Sequence, residues 1–342
     1  MKKLYLIMFL LIFIVGCTAD DDGNTIKDIS KDTPSKNTNY VMFTLNVHDW
    51  VNPEHSIETV KKTIEIHEKY NIPIDIYLTG TITEIYLEQA PELISMLKSS
   101  DVVTISYHFR APMPAYTGFD YIGLDEMNDE ELYETLLNYE EHKLDLETGE
   151  YDEDEKGGYQ LVKDTIGYAP IAVGAPTNNP DVAKILYKIY KEKGAFLGIV
   201  HERVIEFGEK KNDLFLRPED VEIKWYEENR RHMKEGLTAE ELIKERTAGI
   251  PKEGSFINIK MHENNYYVQD TPFWPVYWTD SKKTTPLEPP YDLDAANGVI
   301  TFRNEDYQDA MWEFYEDAVS YVADNPNKFT AISNADVKEM LE

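Results

Sequence analysis

The sequence predicts one α/β domain, a barrel built on a parallel sheet. Three observations carry this. Short apolar, β-branched runs alternate with amphipathic helical stretches, the pattern of strands joined by crossover helices. Seven or eight such units fit into about 300 residues, a length that suits one barrel. Four of the 8 histidines stand just after predicted strands, where a parallel barrel gathers its strand ends into one mouth.

The amino terminus is expected to lie outside this barrel. Met1-Lys2-Lys3 precedes an apolar run from Leu4 to Val15. Two lysines before a short apolar stretch follow the pattern of a secretory signal. The run is shorter than the roughly 20 residues of a membrane span. It closes on Ile14-Val15-Gly16-Cys17, which resembles the bacterial lipobox. Residues 1–16 are thus expected to be a cleaved signal, and Cys17 the lipidated start of the mature chain. Cys17 is the only cysteine, so lipidation would leave no thiol for a disulfide, a metal or catalysis. Residues 18–38 are polar, contain Asp20-Asp21-Asp22 and lack apolar periodicity; they read as a flexible tether. The barrel is expected over residues 39–342.

Within it, strands are predicted at Tyr40–Val47, Ile74–Leu78, Val102–Tyr107, Ile171–Ala175, Phe196–Val200, Leu214–Arg217, Val221–Trp225, Ser255–Met261 and Phe329–Ile332. Helical spacing is found over Ser56–Tyr70, Leu87–Lys98, Asp129–Leu146, Gly158–Thr165, Asp181–Lys193, Ala239–Thr247, Glu305–Val322 and Ala335–Leu341. No internal repeat and no nucleotide-binding glycine pattern interrupts this order.

The formal net charge of −30 excludes nucleic-acid binding, which needs a basic footprint. It equally disfavours a charge-driven hold on anionic lipid, so membrane contact is expected through the lipid anchor only. With 23 Tyr and 5 Trp, the chain has rings for both a core and a sugar-facing surface. A monomer is expected.

His48, His108, His201 and His262 are the histidines at strand ends; His55, His67, His142 and His232 fall in helical or polar surface contexts. Neutral imidazole is a common metal ligand, and with neighbouring carboxylates it suits Zn²⁺ or a similar divalent ion. His48 and His108 are candidate ligands. Asp49 is either a third ligand or the acceptor that orients a ligand imidazole. His262, followed by Glu263, is a candidate acid or base or a further ligand; His201 is the weakest of the four. Alternation places Asn46 on the same face as His48. Arg110 follows His108 closely enough to orient an anionic group or a carbonyl oxygen, or to form a surface salt bridge. Tyr266–Trp278 holds Tyr266, Tyr267, Phe273, Trp274, Tyr277 and Trp278 without a period and with two prolines. It reads as a loop over the mouth, either stacking sugars through Trp274 and Trp278 or packing its rings on itself.

The polar Asn46-x-x-Asp49 strand end, the strand closing on His108, Met261-His262 and the terminal FTAISNAD resemble the polysaccharide deacetylase family over roughly residues 40–340. The resemblance implies a distorted (β/α)7 barrel and a divalent metal, here Zn²⁺, held by an Asp and two His. It also implies removal of N- or O-acetyl groups from a carbohydrate polymer. It assigns the metal to His48 or Asp49 and to His108, and the leaving-group acid to His262. Three positions depart from the family pattern, the first being Pro112, which stands where the second histidine of a His-x-x-x-His motif begun by His108 would lie. Asn46 stands where the family has its acidic base, and Gly174-Ala175-Pro176 stands where an Arg-x-Pro arginine steadies that base. An amide takes no proton from water near neutral pH. The expectation is therefore a metal-dependent deacetylase in which Asn46 positions water or substrate and His48, Asp49 or Glu263 acts as base. The alternatives are a catalytically silent glycan-binding surface lipoprotein, or a glycoside hydrolase using two carboxylates such as Asp49 and Glu263.

Overall fold

Asn39–Asn46 (β1) is the centre of the fold, and its alternation sets the two faces of the sheet. In this computed structural model, which describes residues 38–200, 203–251 and 253–342, Val41, Phe43 and Leu45 join a large apolar core with Val60, Ile64 and Tyr315 of the covering helices. Met42, on the opposite face, packs with Ala172, Leu197, Phe256, Ile332 and Val337. Thr44 and Asn46 continue that second face toward the strand's carboxyl end. The inner face is therefore apolar at the bottom and polar at the top.

The remaining strands are Ile74–Leu78 (β2), Val103–His108 (β3), His142–Leu144 (β4), Tyr151–Lys156 (β5), Ala172–Gly174 (β6), Leu197–Ile199 (β7), Lys210–Lys211 (β8), Leu214–Leu216 (β9), Val221–Lys224 (β10), Phe256–His262 (β11) and Phe329–Ala331 (β12). Among the described residues, ten form one sheet in the order β10-β11-β1-β2-β3-β6-β7-β9-β8, with β12 beside the start of β1. Every pairing in it is parallel except the β8–β9 hairpin. Along this path β1 and β9 are far apart, yet Arg217, just after β9, donates from Nη1 to Thr44 Oγ1 of β1 at 3.2 Å. The sheet curls on itself into a distorted (β/α)7-type barrel, the expected fold.

Helices cover the outer face. Pro53–Tyr70 shows how one is specified: Pro53 occupies its first turn, Val60 and Ile64 form its apolar stripe, and Asn71 ends it in the left-handed conformation. His67 lies on that stripe. It is fully buried rather than solvated, with Nδ1 2.9 Å from the Ile72 carbonyl and Nε2 2.6 Å from the Tyr315 hydroxyl. Gly80 and Gly158 open two helices in backbone contact; a Cβ at Gly80 would lie 2.6 Å from the Gly158 nitrogen. The helix Asn334–Leu341 closes the bottom through Val337, and its Ser333 and Asp336 form a capping box.

Four local readings differ from the sequence expectation. Leu87–Lys98 is two helices, Gly80–Gln89 and Pro91–Ser99, because Pro91 cannot donate to a continuing ladder. The helix from Asp129 stops at Glu141, and the chain turns into the charged β4–β5 hairpin. The helix Trp225–Glu235 carries no apolar stripe, since Glu228 and Asn229 share its buried face with Trp225. Within the aromatic loop, Trp274–Tyr277 forms one helical turn. The signal, Cys17, the tether up to residue 37, and His201 lie outside the described residues. No helix among the described residues is long and apolar enough to cross a membrane.

Candidate functional site

The site is a row of side chains across the carboxyl ends of adjacent strands. Asn46 of β1 sits in register with His262 of β11 on one side and Tyr77 of β2 on the other. Tyr77 is in register with Ser106 of β3, and His108 with Gly174 of β6. The Asn46 amide donates to Nε2 of His262 at 3.1 Å. The Tyr77 hydroxyl accepts from Asn334 Nδ2 at 2.7 Å, which ties the row to the C-terminal helix. Above the row lies a cavity of about 520 Å³ whose wall includes Asn46, Tyr77, His108, Arg110, Gly174 and His262.

His48 stands beside this row. Its ring meets those of His108 and His262 edge to face, with centroids 5.6 and 5.1 Å apart. Burial, reinforced by the Arg110 charge, holds the His48 imidazole well below its ordinary range. The same two causes, in the same order, hold His262 down. Both rings are therefore neutral near pH 7. The Nε2 lone pair of His262 is already occupied by the Asn46 amide.

The carboxylates lie beneath the mouth. Glu263 is fully buried, and its Oε1 accepts from the backbone N–H of both His48 and Asp49. Its Oε2 is 3.8 Å from His48 Nδ1. Burial, and then the neighbouring Asp49 charge, push its acid up to about 8. Asp49 accepts from the backbone N–H groups of Val51 and Asn52 at 3.1 Å each, from Asn52 Nδ2 at 3.1 Å and from the Tyr267 hydroxyl at 2.7 Å. Its carboxylate thus builds the turn that leads into Pro53–Tyr70.

That arrangement bears directly on the expected metal. Asp49, expected as ligand or catalyst, spends its oxygens on four donors of the turn and the loop above it. Among the described residues, no three side chains of His, Cys, Asp or Glu form a group able to hold a metal ion. His48, Asp49 and His108 do not come together as such a group in this fold.

Arg110 reaches the cavity wall and donates from Nη1 to the Tyr116 hydroxyl at 3.0 Å, with its guanidinium 5.6 Å from that ring. The aromatic loop behaves differently from an open sugar platform. Trp278 is only 4% exposed and packs edge to face on Phe119 at 4.8 Å, in a cluster with Phe273, Tyr277 and Tyr291. Trp274 is half-buried and lines a separate outer depression with Gln269 and Thr301. Neither indole lines the main cavity.

The wall also includes Thr44, Tyr77, Arg217, Glu222 and Lys260, which no motif in the sequence marks as site residues. A signal for some of them exists. Thr44-x-Asn46 and Asn258-x-Lys260-x-His262 place a polar residue at every second position of otherwise apolar strands, the mark of a polar barrel lumen.

No family model matches the chain, and no curated protein matches it. Solved structures similar to it include polysaccharide deacetylases, the family that the sequence resembles. The peptidoglycan deacetylase PdaC from Bacillus subtilis is 11% identical, with a TM-score of 0.39, over 89% of this chain and 92% of that one. A putative polysaccharide deacetylase from Mycobacterium smegmatis is 11% identical, with a TM-score of 0.42, over 90% and 92%. A 4-alpha-glucanotransferase from Thermococcus litoralis is 13% identical, with a TM-score of 0.45, over 88% of this chain; the chain spans 40% of that protein's length.

Proposed function

We propose that this protein binds glycans at the mouth of a deacetylase-type barrel and holds them there without hydrolysing them. The single observation that supports this most is the fate of its acids. Asn46 replaces a base with an amide. Asp49 is tied into a turn, and Glu263 is buried beneath His48. Among the described wall residues the only carboxylate is Glu222, which pairs with Lys260 at 3.2 Å. No carboxylate there is free to take a proton from water, as the family's acidic base would. What remains is a polar cleft of hydroxyls, an amide, imidazoles and cations, a set that suits sugar hydroxyls. The same facts leave a glycoside hydrolase without its pair of facing carboxylates. The lipid anchor at Cys17 belongs to this proposal, and would hold the barrel against the outer surface of a membrane.

A second reading, a Zn²⁺-dependent deacetylase acting on a cell-envelope polysaccharide, is favoured by one observation: His48 packs its imidazole against those of both His108 and His262. One experiment separates the two. The full chain is assayed for binding to acetylated oligosaccharides and for acetate release, with and without added Zn²⁺. Binding without acetate supports capture. Acetate release that needs Zn²⁺ and is lost in His108→Ala overturns it.

A further inference from the structure

The charge of the cavity is opposite to that of the protein. The chain carries a formal net charge of −30, yet the described cavity wall holds five cationic side chains, Arg110, Lys211, Arg217, Lys224 and Lys260, against one carboxylate, Glu222. Two of the five are balanced locally. Arg217 pairs with Glu219 at 2.8 Å, and Lys260 with Glu222. Arg110 and Lys224 have no carboxylate partner among the described residues. Arg110 is only half-buried, but its Nε is sealed from solvent and lacks a hydrogen-bond partner, and its Nη1 donates to the Tyr116 hydroxyl rather than to a carboxylate. Another cation, Lys283, follows the aromatic loop in sequence and stands over two of its rings, its Nζ 5.6 Å from the Phe273 ring and 5.5 Å from the Trp278 ring. Burial and then the charge of Arg110 push this lysine down to about 8. Cationic side chains gathered without matching carboxylates in a partly desolvated cleft are a standing cost to the fold, relieved when an anion enters.

We infer that the cavity is built for an acidic glycan, whose carboxylate or phosphate sits on the Arg110 guanidinium while its hydroxyls meet Tyr77, Asn46 and His262. This rests on the reading that the mouth holds sugar, and it adds the charge of that sugar. Arginine is suited to the task because its planar fork matches both carboxylate and phosphate oxygens, and it stays charged at every working pH.

The test is calorimetric titration of the full chain in detergent with four probes: trigalacturonate, its neutral methyl ester, a phosphorylated mannose trisaccharide and inorganic phosphate. The wild type is expected to bind at least one acidic sugar ten-fold or more tightly than the neutral ester. Arg110→Gln should erase that preference, and Arg110→Lys should keep part of it; circular dichroism shows that both variants fold. Whether galacturonate or the phosphorylated sugar binds more tightly tells carboxylate from phosphate. Equal affinity for the acid and its ester overturns the acidic-glycan inference and leaves glycan capture standing. Arg110-dependent binding of inorganic phosphate with no sugar bound overturns glycan capture, and with it the glycan half of this inference. Binding of none of the four overturns both.

Discussion

Asn46 and His262 face each other across the register of two parallel strands, with the amide 3.1 Å from the imidazole Nε2. The pair fixes the tautomer of His262, since an amide N–H must find a bare nitrogen. It also blocks that nitrogen from serving as a base. Changing Asn46 to Asp replaces the donor with an anion. The His262 pKa is then expected to rise by about one unit or more, read from the pH titration of imidazole resonances by NMR. An unmoved titration would show that the two groups do not interact in solution.

The Asp49 carboxylate accepts from Val51, Asn52 and Tyr267 and so holds the turn before Pro53–Tyr70 to the loop above it. Asp49→Asn keeps the size and leaves an oxygen for the Val51 and Asn52 backbone N–H groups, but puts an amide donor against Asn52 Nδ2 and the Tyr267 hydroxyl. The expected cost is about 1–3 kcal/mol of stability in urea unfolding. Glycan affinity should stay within two-fold. A variant of unchanged stability that loses bound Zn²⁺ would reassign Asp49 as a ligand.

His67 links stability to acid. Burial lowers its pKa from 6.5 to about 4. A depressed folded value means the unfolded chain binds the proton first, so stability is intact above pH 6.5 and falls as pH drops toward 4. The contribution at stake is about 3 kcal/mol. Unfolding free energies at pH 7 and pH 4 should therefore differ by that much less in His67→Gln than in the wild type.

Gly174 lines the cavity, and a Cβ built there meets only the His108 Cβ, at an ordinary 3.5 Å. Gly174→Leu should fold with a change of about 1 kcal/mol or less while lowering glycan affinity ten-fold or more. Undiminished binding in this variant would place the sugar elsewhere.

Trp278 and Trp274 should part company. Trp278→Ala removes a buried ring from the loop cluster and is expected to cost about 3–5 kcal/mol. Trp274→Ala, at a half-exposed rim, should cost about 1 kcal/mol. A loss of glycan affinity in Trp274→Ala at unchanged stability would restore the aromatic platform that the sequence suggested.

How much of this was legible beforehand follows the range of the forces involved. Apolar alternation in YVMFTLNV and SFINIKM, and the 3.6-residue stripe of Ser56–Tyr70, are local properties of the chain. They placed β1, β11 and their helices to within a residue or a few, and they put His48, His108 and His262 at one end of the sheet. A helix without a stripe, Trp225–Glu235, and the charged hairpin β4–β5 escaped because no local period marks them. The tertiary structure alone decided which partners each polar group meets. That Asp49 accepts from Tyr267, more than 200 positions later in the chain, is visible only in the fold. Arg217 joins the wall only because the sheet curls far enough to bring it to Thr44. Periodicity is written in neighbours along the chain; partners of a carboxylate or a guanidinium come from across it, and only the folded register names them.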